Sequence, residues 1–250
     1  MSALLVLDNV SRRFGGLNAV DGVSLSIEPG EIVGLIGPNG AGKTTLINAI
    51  TGVHPATGGS IRFDGGDITR KRPYQIARLG LARTFQIVQP FPQMSVLENV
   101  AAGAMFAGRA RSFAEAEAAA RGHLAFTGLA AAADKPASTL TLAQRKRLEL
   151  AKSLSMRPRL LMLDEVNAGL NSAEIDEALA IVRRISASGI TILLIEHLMK
   201  VVLSISQRIV VLHHGQLIAQ GEPRAVLKDP AVIEAYLGSR YAQSMAGGQA

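Results

Sequence analysis

The sequence has 250 residues, 48% hydrophobic and 18% charged, with 26 basic and 20 acidic side chains. This balance excludes a disordered chain, and the absence of cysteine excludes disulfides, thiolate metal sites and cysteine nucleophiles. The formal charge of +6 fits a nucleotide, a nucleic acid or an anionic membrane surface, but only 4% of residues are aromatic, which gives few faces for stacking single-stranded bases.

The sequence shows neither a membrane span nor a secretory signal. Its apolar runs, such as residues 190–195, are far shorter than the roughly 20 residues that a membrane helix needs. Residues 1–10 lack the basic and apolar segments of a signal peptide. We therefore expect a cytoplasmic protein.

The predicted elements begin with strands. Short alternating apolar runs between glycine-rich turns predict strands at residues 4–10, 23–27 and 61–64, and a denser apolar run predicts a buried strand at residues 32–36. Alanine-rich residues 96–133 then predict a helical insertion.

A second helix is predicted after Thr141, with Thr139 or Thr141 as its cap, and it should end before Pro158. We interpret its basic residues as a solvated face rather than a nucleic-acid patch: Arg145, Lys146 and Arg147.

Alternation of strands and a helix predicts parallel α/β architecture in the last third of the chain. The strands are expected at residues 160–163, 190–195 and 209–212, and the helix at residues 172–186, with Asn171 or Ser172 as its cap.

Residues 37–44 fit a phosphate-binding loop, which has glycine, four residues, glycine, lysine and then serine or threonine. The strand before this phosphate loop and the helix after it would direct backbone N–H groups at an anion, which favours a site over a plain glycine-rich turn. Lys43 would neutralise β- and γ-phosphate charge, and Thr44 would bind Mg²⁺. The residues predicted to bind nucleotide here are Asn39, Gly40, Ala41, Gly42, Lys43, Thr44 and Thr45.

Two carboxylates, Asp164 and Glu165, directly follow the apolar run at residues 160–163. Asp164 would hold the hydration shell of Mg²⁺, and Glu165 would accept a proton from the attacking water. The alternative is a solvated turn, but the presence of a phosphate loop in the same sequence favours the Mg²⁺ and base roles.

These residues resemble the ATP-binding subunits of ABC transporters, and the resemblance covers nearly the whole chain. It implies that Phe14 stacks on adenine, that Val20 also contacts the nucleotide, and that Gln86 links the core to a helical subdomain and senses Mg²⁺ and γ-phosphate. His197 resembles the switch histidine that contacts γ-phosphate. Residues 168–171 lie where the family has its dimer-crossing loop. Taken alone, such a phenylalanine is more often part of the core, such a glutamine lies on the surface, and such a histidine has a structural role.

The signature stretch, residues 140–144, departs from this family's usual Leu-Ser-Gly-Gly-Gln. Its sequence is Leu-Thr-Leu-Ala-Gln, so that Leu142 and Ala143 replace both glycines. The resemblance implies that Thr141 and Gln144 face nucleotide on the opposite subunit, and the alternative is a plain helix start. Val166 likewise stands where the family usually has proline.

A narrower resemblance links residues 14–20, 196–200 and 229–238 to ATPases of branched-chain amino-acid uptake systems, whose relatives also handle urea and short amides. It implies an importer that uses ATP and Mg²⁺. Its partners would be integral membrane permease subunits, a second ATPase subunit in a homo- or heterodimer and, indirectly, a periplasmic substrate-binding protein. No nucleic acid is expected, and the location would be the cytoplasmic face of the inner membrane. The alternatives are a lipopolysaccharide-export ATPase, a soluble ABC protein acting on nucleic acid, and a binding module without turnover.

The implied fold is α/β, a P-loop NTPase core with a mixed sheet, an N-terminal antiparallel β part and an inserted helical subdomain. We expect a single domain over residues 1–250, with its core at 1–86 and 159–238. The helical subdomain would occupy residues 87–158 and a flexible tail residues 239–250. The loop at residues 87–94 is expected to help receive a permease helix, or else to fold against its own core.

Overall fold

The computed structural model describes residues 2–84, 89–106 and 110–237. In chain order, its strands and α-helices are β1 (Leu5–Phe14), β2 (Leu17–Ile27), β3 (Ile32–Ile36), α1 (Lys43–Ile50), β4 (Gly58–Phe63), β5 (Gly66–Asp67), α2 (Pro73–Arg78), β6 (Leu81–Arg83), α3 (Val96–Phe106), α4 (Phe113–Phe126), α5 (Leu142–Ser155), β7 (Leu160–Asp164), α6 (Ser172–Ala187), β8 (Thr191–Ile195), α7 (Met199–Ile205), β9 (Arg208–His213), β10 (Gln216–Gly221), α8 (Pro223–Val226) and α9 (Pro230–Leu237).

The chain forms two units. One comprises Met1–Pro73 with Leu193–Ala250, and the other comprises Tyr74–Ile192. Strands β6 and β7 belong to the same unit as helices α3 to α5. The domain boundaries expected from the sequence stay a prediction.

The first unit contains an antiparallel sheet with strand order β2-β1-β4-β5. On the central strand, Leu5 pairs with Ile27 of β2 and with Phe63 of β4. Leu5, Leu7 and Val10 are buried while several residues between them reach solvent, as the alternation in the sequence predicts.

The same unit holds the strands that lead to the phosphate loop, in the order β10-β9-β3-β8. Strand β3 is parallel to β9 and all five of its residues are buried, which explains its unbroken apolar sequence. Strand β10 is antiparallel to β9, so the sheet is mixed. A buried cluster joins β3 and β9 to the helices of this unit: Ile36, Val202, Ile209, Val211, Val226 and Val232.

In the second unit, β6 is parallel to β7. Helices α3, α4 and α5 share one core, in which Ala116 and Ala120 of α4 are fully buried. Small side chains there let the helices pack closely. Helix α6 begins with a capping box between Asn171 and Glu174, so the cap is Asn171 and not Ser172.

The predicted strands and helices are present, with β1 and β2 extending beyond their predicted ends. The sequence did not predict β5, β6, β10, α2, α7, α8 and α9. Within the described residues, no helix is both long enough and apolar enough to span a membrane.

Candidate functional site

The phosphate loop connects β3 to α1, and its backbone conformation requires glycine. Gly42 has φ 101°, and a Cβ atom built on it would lie 2.5 Å from the carbonyl oxygen of Ala19. Gly40 also has a positive φ, of 78°. Since L side chains rarely adopt this region, the glycine pattern read from the sequence has a direct structural cause.

The charged end of Lys43 lies over this loop. Its Nζ donates to the carbonyl oxygens of Gly37 at 2.6 Å and Pro38 at 3.1 Å. The first N–H groups of α1 have no partner within the helix, because an α-helix leaves its initial donors unpaired. An ammonium group and the N-terminal end of α1 therefore lie at the same loop, and this arrangement suits a phosphate group.

Around the loop, the remaining predicted nucleotide contacts differ in exposure. Asn39, Gly40 and Thr44 are exposed, whereas Ala41 is buried. Val20 is completely buried in β2, so its side chain is part of the core of this unit.

Phe14, the residue expected to stack on adenine, is 42% exposed at the end of β1. The guanidinium carbon of Arg12 lies 4.5 Å from the ring centroid, and His54 makes an edge-to-face contact with a centroid distance of 5.7 Å. Adenine would therefore use the face opposite Arg12 or displace that side chain.

Tyr236 contacts the phosphate loop from helix α9, which the sequence analysis did not foresee. Burial raises the pKa of Tyr236, and a hydrogen bond with the backbone of Gly37 opposes that shift. The only sequence signal was the terminal pattern at residues 229–238. His197, also in this unit, is exposed shortly after β8.

In the second unit, Asp164 ends strand β7 and is buried. Its Oδ2 accepts a hydrogen bond from Arg83 at 2.7 Å, and both side chains are at most 10% exposed. Its backbone N–H donates to the Thr84 hydroxyl at 3.1 Å. Arg83, which the sequence analysis did not single out, therefore fixes the carboxylate predicted to serve Mg²⁺.

Glu165, the next residue, has φ 47°, an uncommon value for a residue with a side chain. Its carbonyl oxygen accepts hydrogen bonds from the N–H of Ala168 at 3.1 Å and from Nζ of Lys146 at 3.0 Å. Lys146 is only 7% exposed, so its interpretation as part of a solvated face is wrong. The ammonium group of Lys146 is instead bound by the turn that follows β7.

The signature stretch forms the start of α5, with Thr141 rather than Thr139 as the N-cap. The Thr141 hydroxyl accepts from the N–H of Gln144 at 3.3 Å, and the Gln144 side chain accepts from the N–H of Thr141 at 3.1 Å. This is a capping box, so both side chains bond to their own helix. Their predicted contact with nucleotide stays a prediction.

Leu142, which replaces the first glycine of the signature, is 48% exposed. Its Cδ2 lies 2.9 Å from the position that a Cβ would take on Gly169, whose φ is 78°. The signature stretch therefore touches the segment expected to be the dimer-crossing loop. A side chain at residue 169 would collide with Leu142.

Two predictions concern residues that the structure describes incompletely. Gln86 lies outside the described residues, as do Ile87 and Val88 of the loop expected to receive a permease helix. In the described part of that loop, Phe91 is 55% exposed while its backbone N–H and carbonyl both bond to the buried side chain of Asn99.

Comparison with known proteins identifies the family. A family model described as ABC transporter matches residues 20–168, more than half of the chain. The chain belongs to the ABC transporter family. A second model, described as branched-chain amino acid ATP-binding cassette transporter, matches residues 216–242 of this ABC protein.

Similar proteins cover nearly the full chain. The high-affinity branched-chain amino acid transport ATP-binding protein BraF of Pseudomonas aeruginosa is 43% identical, over 94% of this chain and 98% of BraF. LivG of Escherichia coli K12, which has the same description, is 42% identical over the same shares. Among solved structures, the ADP conformation of the ABC cassette MJ1267 has a TM-score of 0.87 and 35% identity, covering 96% of this chain and 100% of that one.

These findings confirm the predicted family, the P-loop NTPase fold with its mixed sheet and inserted helices, and the ATPase class of the enzyme. This ABC ATPase binds ATP and is a component of a transporter. Of the three alternative functions, lipopolysaccharide export and action on nucleic acid are not favoured.

Proposed function

We propose that this ABC ATPase is the ATP-hydrolysing subunit of an importer for branched-chain amino acids or related small amides. The observation that carries the proposal is the match of residues 216–242 to the branched-chain amino acid transporter model. BraF and LivG, which are similar over almost their full lengths, have names that state this cargo. The structure contributes the phosphate loop that such an ATPase needs.

The proposed partners follow from this role. The subunit would bind integral membrane permease subunits at the cytoplasmic face of the inner membrane and pair with a second ATPase subunit, the same or a different chain. A periplasmic substrate-binding protein would deliver the cargo. The exposed ring of Phe91 supports a contact with the permease, since its backbone is fixed by Asn99 while the ring faces outward.

In the proposed ATP site, the backbone N–H groups of residues 39–45 and the ammonium of Lys43 hold the phosphates, and Phe14 supports adenine. On nucleotide binding, Nζ of Lys43 would exchange its hydrogen bonds to the carbonyl oxygens of Gly37 and Pro38 for bonds to phosphate oxygens. Glu165 accepts the proton of the attacking water, while Gln86 and His197 contact the γ-phosphate region. These assignments rest on the family resemblance and the loop geometry.

The family resemblance implies that Thr44 and Asp164 would hold Mg²⁺. Their hydroxyl and carboxylate groups are hard oxygen donors of the kind that Mg²⁺ prefers. The described residues contain no cluster of three or more His, Asp or Glu side chains able to hold a metal. When bound, Mg²⁺ would neutralise charge on the β- and γ-phosphates.

The test of hydrolysis is Glu165→Gln in the assembled transporter. It should retain ATP affinity while phosphate release falls by about 10²- to 10⁴-fold, the usual weight of a positioned base. Lys43→Ala is the contrasting variant, since it removes positive charge from the phosphate loop and should weaken ATP binding itself. Near-normal turnover of Glu165→Gln would remove this residue from the role of base.

The test of cargo is ATP-dependent uptake by proteoliposomes containing the complete transporter. Radiolabelled leucine, isoleucine and valine should accumulate only with ATP on the side of the ATPase subunits and the binding protein on the opposite side. Urea and acetamide serve as the small-amide comparison. Accumulation of none of these compounds by a transporter that hydrolyses ATP would reject the proposed cargo.

A further inference from the structure

Lys146 is a buried cation in this chain's signature helix. It lies on α5 and is 7% exposed. Its Nζ donates to the carbonyl oxygen of Glu165 at 3.0 Å. Removing an ammonium group from water is unfavourable unless hydrogen bonds replace its hydration. The hydrogen bond to Glu165 therefore offsets part of the cost of burying Lys146.

The acceptor of this hydrogen bond belongs to an unusual backbone conformation. Glu165 has φ 47°, in the left-handed region that residues with side chains avoid. Such conformations persist where surrounding contacts hold them. Here the same carbonyl oxygen also accepts from the N–H of Ala168 at 3.1 Å, which closes a turn over residues 165–168.

The orientation of this peptide affects the direction of the Glu165 side chain. Rotation about the bonds at Cα of Glu165 would turn the carbonyl away from Lys146 and change where the carboxylate points. The preceding residue is held separately, since Asp164 accepts from Arg83 at 2.7 Å. Lys146, which is 19 residues away in the chain, therefore holds the backbone of Glu165 itself.

We propose that Lys146 is a positioning residue for ATP hydrolysis, which holds the left-handed peptide of Glu165 so that its carboxylate meets the attacking water. The proposal rests on the role of Glu165 given under the proposed function. Lys146 acts on hydrolysis through this peptide. Its loss should lower kcat and leave the KM for ATP nearly unchanged.

The experiment compares substitutions at Lys146 in the full-length protein within the assembled transporter. Lys146→Met keeps the length and removes the donor, and it should lower kcat about 10- to 100-fold, as expected for a small misplacement of a reacting group. Lys146→Arg keeps N–H donors and should retain most of kcat. Lys152→Met, on the same helix, is the matched control because its Nζ lies 3.3 Å from Glu149 rather than near Glu165.

Two readouts do not depend on turnover. ATP affinity, measured by equilibrium titration, should be the same in wild type and Lys146→Met. Hydrogen exchange at the amide of Ala168 should be faster in Lys146→Met than in Lys152→Met, because the turn at residues 165–168 loses one of its supports.

The outcomes separate this proposal from the proposed function. Wild-type kcat in Lys146→Met, while Glu165→Gln is inactive, would overturn the role of Lys146 and leave Glu165 as the base. An equal loss in Lys146→Arg and Lys146→Met would overturn the need for a donor. If Lys146→Met does not fold, Lys146→Gln replaces it: its shorter side chain should lose kcat relative to Lys146→Arg, and equal rates would overturn the proposal. Full activity of Glu165→Gln would instead contradict the proposed base.

Discussion

Gly42 shows how one residue type can be required for two independent reasons. Its φ of 101° is strained for any side chain, and a Cβ there would also press on the Ala19 carbonyl oxygen. Gly40, in the same loop, has φ 78°, but a Cβ on it would meet no atom within 4 Å. A side chain at residue 40 would therefore cause backbone strain alone, whereas a side chain at residue 42 would cause both strain and collision.

Substituting each glycine by alanine tests this distinction. Gly40→Ala should lower the free energy of unfolding by about 1 kcal/mol, the cost of left-handed backbone. Gly42→Ala should lower it by about 3 kcal/mol, since collision adds to strain. Urea denaturation of both variants measures the difference. Equal losses would show that the strand carrying Ala19 moves aside without cost.

Lys146 and Arg83 mark the limit of sequence reasoning at the residue scale. The phosphate loop and the Asp164-Glu165 pair were predictable because their spacing is local and their chemistry is specific. Lys146 and Arg83 contact these carboxylate residues from positions 19 and 81 residues away in the chain. No local pattern distinguishes such a basic residue from one that faces solvent.

At the scale of elements, an ion pair fastens the start of β9 to the turn before β3. Arg208 donates through Nε to Glu31 at 2.7 Å and through a second nitrogen at 3.0 Å, and the two side chains are 23% and 16% exposed. Burial alone would raise the pKa of Glu31, but hydrogen bonds from Arg208 and the N–H of Glu28, together with the Arg208 charge, lower it. The pKa of Arg208 is raised by the same pair.

This ion pair predicts a stability difference that depends on pH. Because the folded-state pKa of Glu31 is lowered, its stabilisation is fully present above the unfolded value near 4.5 and disappears as pH falls through the folded value. Glu31→Gln should therefore cost about 1–2 kcal/mol at neutral pH and almost nothing in acid. Urea denaturation of both proteins, from neutral pH to well below pH 4.5, measures this stability difference. In an Arg208→Gln background the same change should cost much less, and an unchanged cost would contradict the pairing.

The strands that the sequence did not predict share a physical cause. Strand β6 has three residues and β5 has two, too few to show a periodic pattern. Strand β10 is partly exposed along most of its length, so it lacks the apolar run that revealed β3 and β7. Their structure depends on pairing with β7, β4 and β9, and a single sequence does not show which strands will pair.

At the scale of the whole transporter, the altered signature predicts unequal ATP sites. Leu142 and Ala143 place side chains where the family has glycine, and Leu142 is 48% exposed at the start of α5. If the second ATPase subunit is a different chain with an ordinary signature, the site built on Lys43 should hydrolyse ATP well. If the opposite site faces residues 140–144, as the family resemblance implies, that site should hydrolyse ATP poorly.

Restoring the glycines tests this asymmetry. In a Glu165→Gln background, residual ATPase activity reports the opposite site, and Leu142→Gly with Ala143→Gly should raise it about tenfold or more by admitting backbone donors. The glycines should cost about 0.5 to 1 kcal/mol each in stability. An unchanged residual rate would reject the steric explanation. Vigorous hydrolysis by a homodimer of the native chain would reject the unequal pairing.

The capping box at the start of α5 also determines whether the first turn of this helix becomes ordered on folding or only on ligand binding. Thr141 and Gln144 fix the first turn of this helix in the isolated chain, so the loss of conformational freedom accompanies folding and not the arrival of a ligand. A surface that is already rigid docks without a folding step. The rate at which two such subunits close on nucleotide should therefore be governed by diffusion and charge, with little dependence on helix formation.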